Sequence, residues 1–140
     1  MATIFSKVIK GELPGHFVWR DERSVAFLSN RPLRPGHTLV VPRDEIDHWL
    51  DLRPDLAQHL MLVAQSLGKA IQRGFNPAKV GLMIAGLEVP HVHIHLVPIR
   101  GVYDLDFANQ DLNATPADLE RAAQAIRASL RTLGFAQVAE

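Results

Sequence analysis

The spacing of apolar positions changes several times along the chain, and each change marks an element. Ile4, Phe5, Val8 and Ile9 recur at helical spacing, so a short helix opens the chain, closed by Gly11 and Pro14. Residues 16–20 and 24–29 read as strands joined by the turn Asp21-Glu22-Arg23. Residues 30–36, with two prolines and two arginines, form a loop, and the dense apolar run 38–41 is a short strand ended by Pro42. A long helix is predicted over 54–73, with Leu56, Leu60, Val63, Leu67 and Ile71 on one stripe and Gly74 as its stop. Residues 80–85 and 89–99 are the next strands, separated by a bend at Gly86, and residues 100–114 show little periodicity. Thr115-Pro116-Ala117-Asp118 then starts a last helix as N-cap, first-turn proline and acidic third position. Its apolar face is Leu119, Ala122, Ala123, Ile126 and Leu130. Successive strands with only two long helices predict an α+β fold, a largely antiparallel sheet with helices packed on it.

One stretch is more apolar than that architecture needs. Leu60, Met61, Leu62, Val63 and Ala64 follow one another in the long helix, so its apolar arc is wider than a single sheet face requires. The surplus predicts a second buried surface.

Composition narrows the function classes. The 140 residues fit one domain, spanning 1–140, with no repeat, low-complexity segment or linker. Lysine plus arginine equals aspartate plus glutamate at 15 each, so no nucleic-acid groove and no anionic membrane surface is expected among its partners. Cysteine is absent, which rules out disulfides and thiolate metal sites and fits a reducing interior. The amino-terminal stretch has no basic-then-apolar signal pattern and no run approaches membrane-spanning length, so a cytoplasmic protein is expected.

The chemistry is concentrated in residues 91–95, His-Val-His-Ile-His. Successive side chains of a strand point to opposite faces, so His91, His93 and His95 are expected together on one face while Val92 and Ile94 enter the core. His16, His48 and His59 read as ordinary surface or hydrogen-bonded residues. A row of imidazoles has three readings. It can be structural. It can hold a metal, histidine being a common ligand: His91 and His93 could share an ion, but the outer two Cα atoms lie about 13 Å apart at about 3.3 Å per residue, so a third ligand would need a bent strand. Or it can serve an anionic substrate, because phosphoryl transfer needs a nucleophile, hydrogen-bond donors and a proton for the leaving group. Neighbouring rings cannot all be charged, since each charge lowers the pKa of the next, so one neutral ring can attack while another, charged, donates.

His91-Val92-His93-Ile94-His95-Leu96-Val97 resembles the His-φ-His-φ-His-φ-φ signature (φ apolar) of the histidine triad, or HIT, family of nucleotide hydrolases and transferases. Residues 4–14 resemble that family's amino-terminal segment, and Pro35-Gly36-His37-Thr38-Leu39-Val40-Val41-Pro42 its second histidine-bearing segment. The resemblance runs in order from about residue 3 to residue 98. It implies a five-stranded antiparallel meander with one long central helix and a C-terminal helix, a two-fold homodimer, and chemistry that uses neither metal nor cofactor. It implies His93 as the nucleophile that attacks the α-phosphorus of a nucleotide, His95 as the group near the leaving atom, and His91 and His37 as supporting histidines. It places Ile4, Phe5, Val8 and Leu39 around a purine base and Ser29, with Asn30 beside it, at the ribose. His95 stands where related transferases carry glutamine, and Val92 where they carry proline, which favours hydrolysis. Two positions depart from the family: Ser29 replaces a ribose-binding Asp or Asn, and Leu87 replaces a polar glutamine before the triad. The departures keep a second reading open, a regulatory protein that binds a nucleotide but turns it over negligibly. Adenosine phosphoramidates and dinucleoside polyphosphates are the implied substrates.

Overall fold

The computed structural model describes residues 2–140. In chain order the elements are α1 (Ile4–Ile9), β1 (Phe17–Arg20), β2 (Ser24–Leu28), β3 (Thr38–Pro42), α2 (Pro54–Phe75), β4 (Lys79–Met83), β5 (Ile94–Ile99) and α3 (Pro116–Thr132). All strand pairs are antiparallel, and the sheet order is β1-β2-β3-β5-β4. This is not the meander expected. After β3, helix α2 carries the chain across the sheet, β4 forms the far edge, and β5 turns back into the slot between β3 and β4.

Period-two alternation divides the sheet's side chains between two cores. Ala26, Leu28, Val40, Ile94 and Leu96 face α2 and α3 and pack on Leu60, Val63, Leu67, Ile71, Ile126 and Leu130. Val25, Phe27, Leu39 and Val41 face the other way, toward Val8 of α1 and Phe17. Both faces of β2 and β3 are covered, so every residue of these strands is buried.

The helix ends have specific causes. Thr3 caps α1 by accepting from the Ser6 N–H. At α3, Thr115 and Asp118 form a reciprocal capping box with Pro116 in the first turn. Helix α2 does not stop at Gly74; it runs to Phe75 and ends at Asn76, which adopts the left-handed conformation at φ 49°. Gly74 is an interior position of the helix facing Ala125 and Ser129 of α3, where a Cβ would make ordinary contact at 3.4–3.6 Å. Residues 100–114 hold two short 3₁₀ turns, Val102–Leu105 and Phe107–Asn109. No helix among the described residues is long and apolar enough to cross a membrane.

Candidate functional site

The histidine row keeps its alternation but not its strand. Only His95 lies in β5, opposite Leu39 of β3 on one side and Met83 of β4 on the other. The ladder starts at Ile94 because the chain before it is held elsewhere: the Val92 N–H donates to the Ile46 carbonyl at 2.7 Å, and the His91 N–H to that of Val89. The rings still follow one another. Those of His93 and His95 are 4.8 Å apart between centroids, and Phe5 of α1 meets His93 at 4.9 Å and His91 at 5.9 Å, edge-on.

The partners of each ring fix where its proton sits, because a carbonyl oxygen can only accept and a backbone N–H can only donate. His93 Nδ1 is 2.7 Å from the carbonyl oxygen of His91, so Nδ1 carries the hydrogen and Nε2 keeps its lone pair, with no partner among the described residues. His91 Nε2 donates to the Pro42 carbonyl at 2.8 Å, and its Nδ1 then accepts from the Thr3 hydroxyl, also at 2.8 Å. A second chain runs through β3. The Leu33 N–H donates to His37 Nδ1 at 3.0 Å, so the His37 hydrogen is on Nε2 and is given to His95 Nδ1 at 2.9 Å. His95 therefore carries its own hydrogen on Nε2. The two chains end at adjacent rings, one offering a lone pair and the other an N–H.

Burial favours the neutral form of His37, His93 and His95. His37 is pushed down to about 3, first by burial and then by the neighbouring His95 and His93. His95 is pushed down to about 4 by burial and by His93. His93 is also lowered by burial, an effect opposed by its bond to the His91 carbonyl and by the charge of Glu88. A charged donor beside a neutral nucleophile was expected from the sequence. In the free site the donor is a neutral N–H instead, since desolvation outweighs any gain from charge.

A cleft beside these rings is lined by His93, His95 and His37, and by Ile4, Phe5, Val8, Ser29, Asn30 and Leu39. His91 is absent from its walls. It is fully buried, packed against Phe5, and its carbonyl holds the His93 ring. Phe5 and Val8 are also core residues, packed with Phe27 and Leu39. The Ser29 hydroxyl accepts from the Arg31 N–H at 3.4 Å. Leu87 is almost fully exposed and lies outside the cleft wall, beside Trp49 and Pro90.

Several residues of this neighbourhood carry no local sequence signal. Glu45 Oε1 accepts from both the Thr3 N–H and the Ser6 hydroxyl, which ties α1 to the loop after β3 and sets Thr3 against His91. Those bonds hold the Glu45 carboxyl at about 2. Phe107, from the stretch without periodicity, stacks edge-on against His95 at 5.3 Å. Glu88, Arg31, Gln110 and His16 also line the cleft. His48 and His59 do not: His48 caps a 3₁₀ turn, and His59 sits 3.0 Å from Asp21.

Both nitrogens of His91 are engaged, so the pair His91 and His93 is not arranged to share a metal ion. Among the described residues no cluster of three His, Asp or Glu side chains suits one.

Comparison with known proteins agrees with this frame. The chain is 35% identical over 100 residues to an adenosine 5′-monophosphoramidase of Saccharomyces cerevisiae, covering 71% of this chain and 63% of that protein. It is 40% identical over 93 residues to a bifunctional bis(5′-adenosyl)-triphosphatase/adenylylsulfatase of Arabidopsis thaliana, covering 63% of this chain and 52% of that protein. Among solved structures, a zinc-bound histidine triad family protein from Mycobacterium smegmatis superposes with a TM-score of 0.81 at 27% identity, covering 95% of this chain and 96% of that one. The family model described as HIT domain matches residues 10–102. With this match over most of its length, the same antiparallel sheet and the histidine row in place, the chain belongs to the HIT family.

Proposed function

We propose that this protein is a nucleotide phosphohydrolase that cleaves at the α-phosphate of a purine nucleotide conjugate through a covalent intermediate on His93. The observation that carries the reading is the bond from His93 Nδ1 to the His91 carbonyl, which leaves Nε2 unprotonated and facing a cleft. In the proposed reaction Nε2 forms a bond to the α-phosphorus. The bond from phosphorus to the leaving atom breaks, and its electron pair stays with the leaving group. His95 Nε2–H donates a hydrogen bond to that atom or to an adjacent phosphate oxygen. A polyphosphate departs as an anion; an amine departs with a proton from solvent. Water then attacks phosphorus and releases a proton to solvent, the P–N bond breaks with its electron pair returning to His93 Nε2, and the nucleoside 5′-monophosphate is released. His37 holds His95 in the donating tautomer, and His91 holds His93 in the nucleophilic one. The apolar wall of Ile4, Phe5, Val8 and Leu39 takes the purine, and Ser29 and Asn30 face the ribose.

The relatives support adenosine phosphoramidates and dinucleoside polyphosphates as substrates, since proteins similar to this chain act on such compounds. No step requires a metal or a cofactor, so chelators are expected to leave turnover unchanged. A nucleotide labelled at the α-phosphate tests the mechanism. Rapid quenching should leave acid-labile, alkali-stable label on the peptide that contains His93. Saturable nucleotide binding with no label and no turnover would instead establish the regulatory reading.

A further inference from the structure

His16 reads from sequence as an ordinary histidine, but it is held more firmly than one. Arg127 of α3 is buried, and its Nε donates to the carbonyls of Phe17 and Ala139 at 2.8 and 2.9 Å. With its position fixed by two backbone oxygens, its Nη1 donates to Glu120 Oε2 at 2.7 Å. The other oxygen of that carboxylate, Oε1, lies 3.0 Å from His16 Nδ1. Glu120 is held ionised at about 2, first by the bond from Arg127 and then by that from His16. An ionised carboxylate only accepts, so the His16 hydrogen is on Nδ1 in the neutral ring. In that tautomer Nε2 is a lone-pair acceptor, with no partner among the described residues.

That acceptor belongs to a ring on the cleft wall. His16 lies just before β1, and its carbonyl accepts from the Leu28 N–H at the end of β2. This puts it next to Ser29 and Asn30, and Leu119 of α3 completes the wall beside them. Beside it the Ser29 hydroxyl already accepts from the Arg31 N–H. A three-residue relay from a buried guanidinium to an oriented imidazole is an elaborate way to hold a surface histidine. As a way to present one acceptor to a ligand in a fixed direction it is economical, because the ring's orientation is settled before the ligand arrives.

We propose that His16, oriented by Glu120 and Arg127, is a specificity-determining residue that accepts a hydrogen bond from the nucleoside part of the ligand. The inference rests on the nucleotide reading above. Two donors of that class are available on an adenosine nucleotide, a ribose hydroxyl and the exocyclic 6-amino group. Glu120 and Arg127 are positioning residues: they touch His16, not the ligand.

The test is binding of three probes to the full chain by calorimetry: AMP, 2′,3′-dideoxy-AMP and purine riboside 5′-monophosphate. His16→Phe keeps a planar ring of similar size and removes both nitrogens. It is expected to weaken AMP about tenfold, the scale of one well-made hydrogen bond. The loss should disappear for whichever analogue lacks the donor, dideoxy-AMP if the ribose is read and purine riboside monophosphate if the amine is. His16→Gln, which offers a carbonyl oxygen, should recover part of the AMP affinity. With adenosine 5′-phosphoramidate as substrate, the His16→Phe change should fall on KM rather than kcat. AMP affinity within twofold of the wild type overturns the proposal. So does an equal loss for all three probes, which would mark His16 as a strut only. If the wild-type chain binds none of the probes, the nucleotide reading itself fails, an outcome distinct from a variant that binds as the wild type does.

Discussion

In the proposed mechanism Nε2 of His93 attacks only while unprotonated, and burial lowers that ring's pKa below the usual histidine range. The acid limb of kcat/KM is therefore expected below pH 6.5, with activity present above it and lost as pH falls through the lowered value. A limb at or above 6.5 in the pH–rate profile would contradict the assignment. His93→Ala should lower turnover by about three or more orders of magnitude, measured by product release from adenosine 5′-phosphoramidate. The same depressed values have a consequence for stability. His37 and His95 stay neutral down to about 3 and about 4 in the fold, while in the unfolded chain they charge near 6.5. Between those values the unfolded state binds more protons, so stability is full above pH 6.5 and falls as the solution is acidified toward 4. Urea midpoints at pH 7 and pH 5 should differ, and His95→Gln should narrow the difference. The triad was legible because its period of two survives even where the strand does not. Thr3 and Glu45 were not, because they act on His91 across 88 residues and on α1 across about 40, and no local pattern encodes such a meeting.

At the scale of elements, the turn before β3 determines how well His37 is placed. Gly36 has φ +97°, and a Cβ there would lie 2.9 Å from the Phe75 ring at the end of α2. Gly36→Ala combines a left-handed backbone with a collision, and about 1–3 kcal/mol of destabilisation is expected, readable as a lower urea midpoint. Activity should fall with it, since His37 follows directly. Element types were mostly readable from periodicity: α2, α3 and the capping box at Thr115 stand where the pattern put them. The misreadings share a cause. Gly74 looked like a stop because glycine usually is one, yet the helix runs through it and Asn76 takes the left-handed position. The strand expected from Val89 begins at Ile94 because a tertiary bond, Val92 to Ile46, withdraws the chain from the ladder. Local propensity is blind to both.

Across the whole molecule, the described residues of α2 and β4 leave an apolar face without a partner. Met61 and Leu62 of α2 are more than half exposed, and Leu82 of the edge strand β4 joins them, although their neighbours Leu60 and Val63 are buried. A symmetric pair of chains joined through this face is expected. Light scattering at micromolar concentration should give the mass of two chains, and Met61→Lys with Leu62→Glu should give one. The crossover that replaced the meander could not be foreseen, because an apolar pattern says which face of a strand is buried and not which neighbour it pairs with. That crossover also has a consequence for how the protein is made. On a ribosome β3 is complete at Pro42, but the strand that will lie beside it starts only about fifty residues later, at Ile94. Throughout that interval the nascent chain carries an open edge of Leu39, Val40 and Val41, the kind of edge that recruits foreign strands. Insertion of β5 seals the edge and, in the same movement, brings His95 against His37. Crowding during synthesis therefore threatens the His37–His95 contact and the solubility of the chain at one seam.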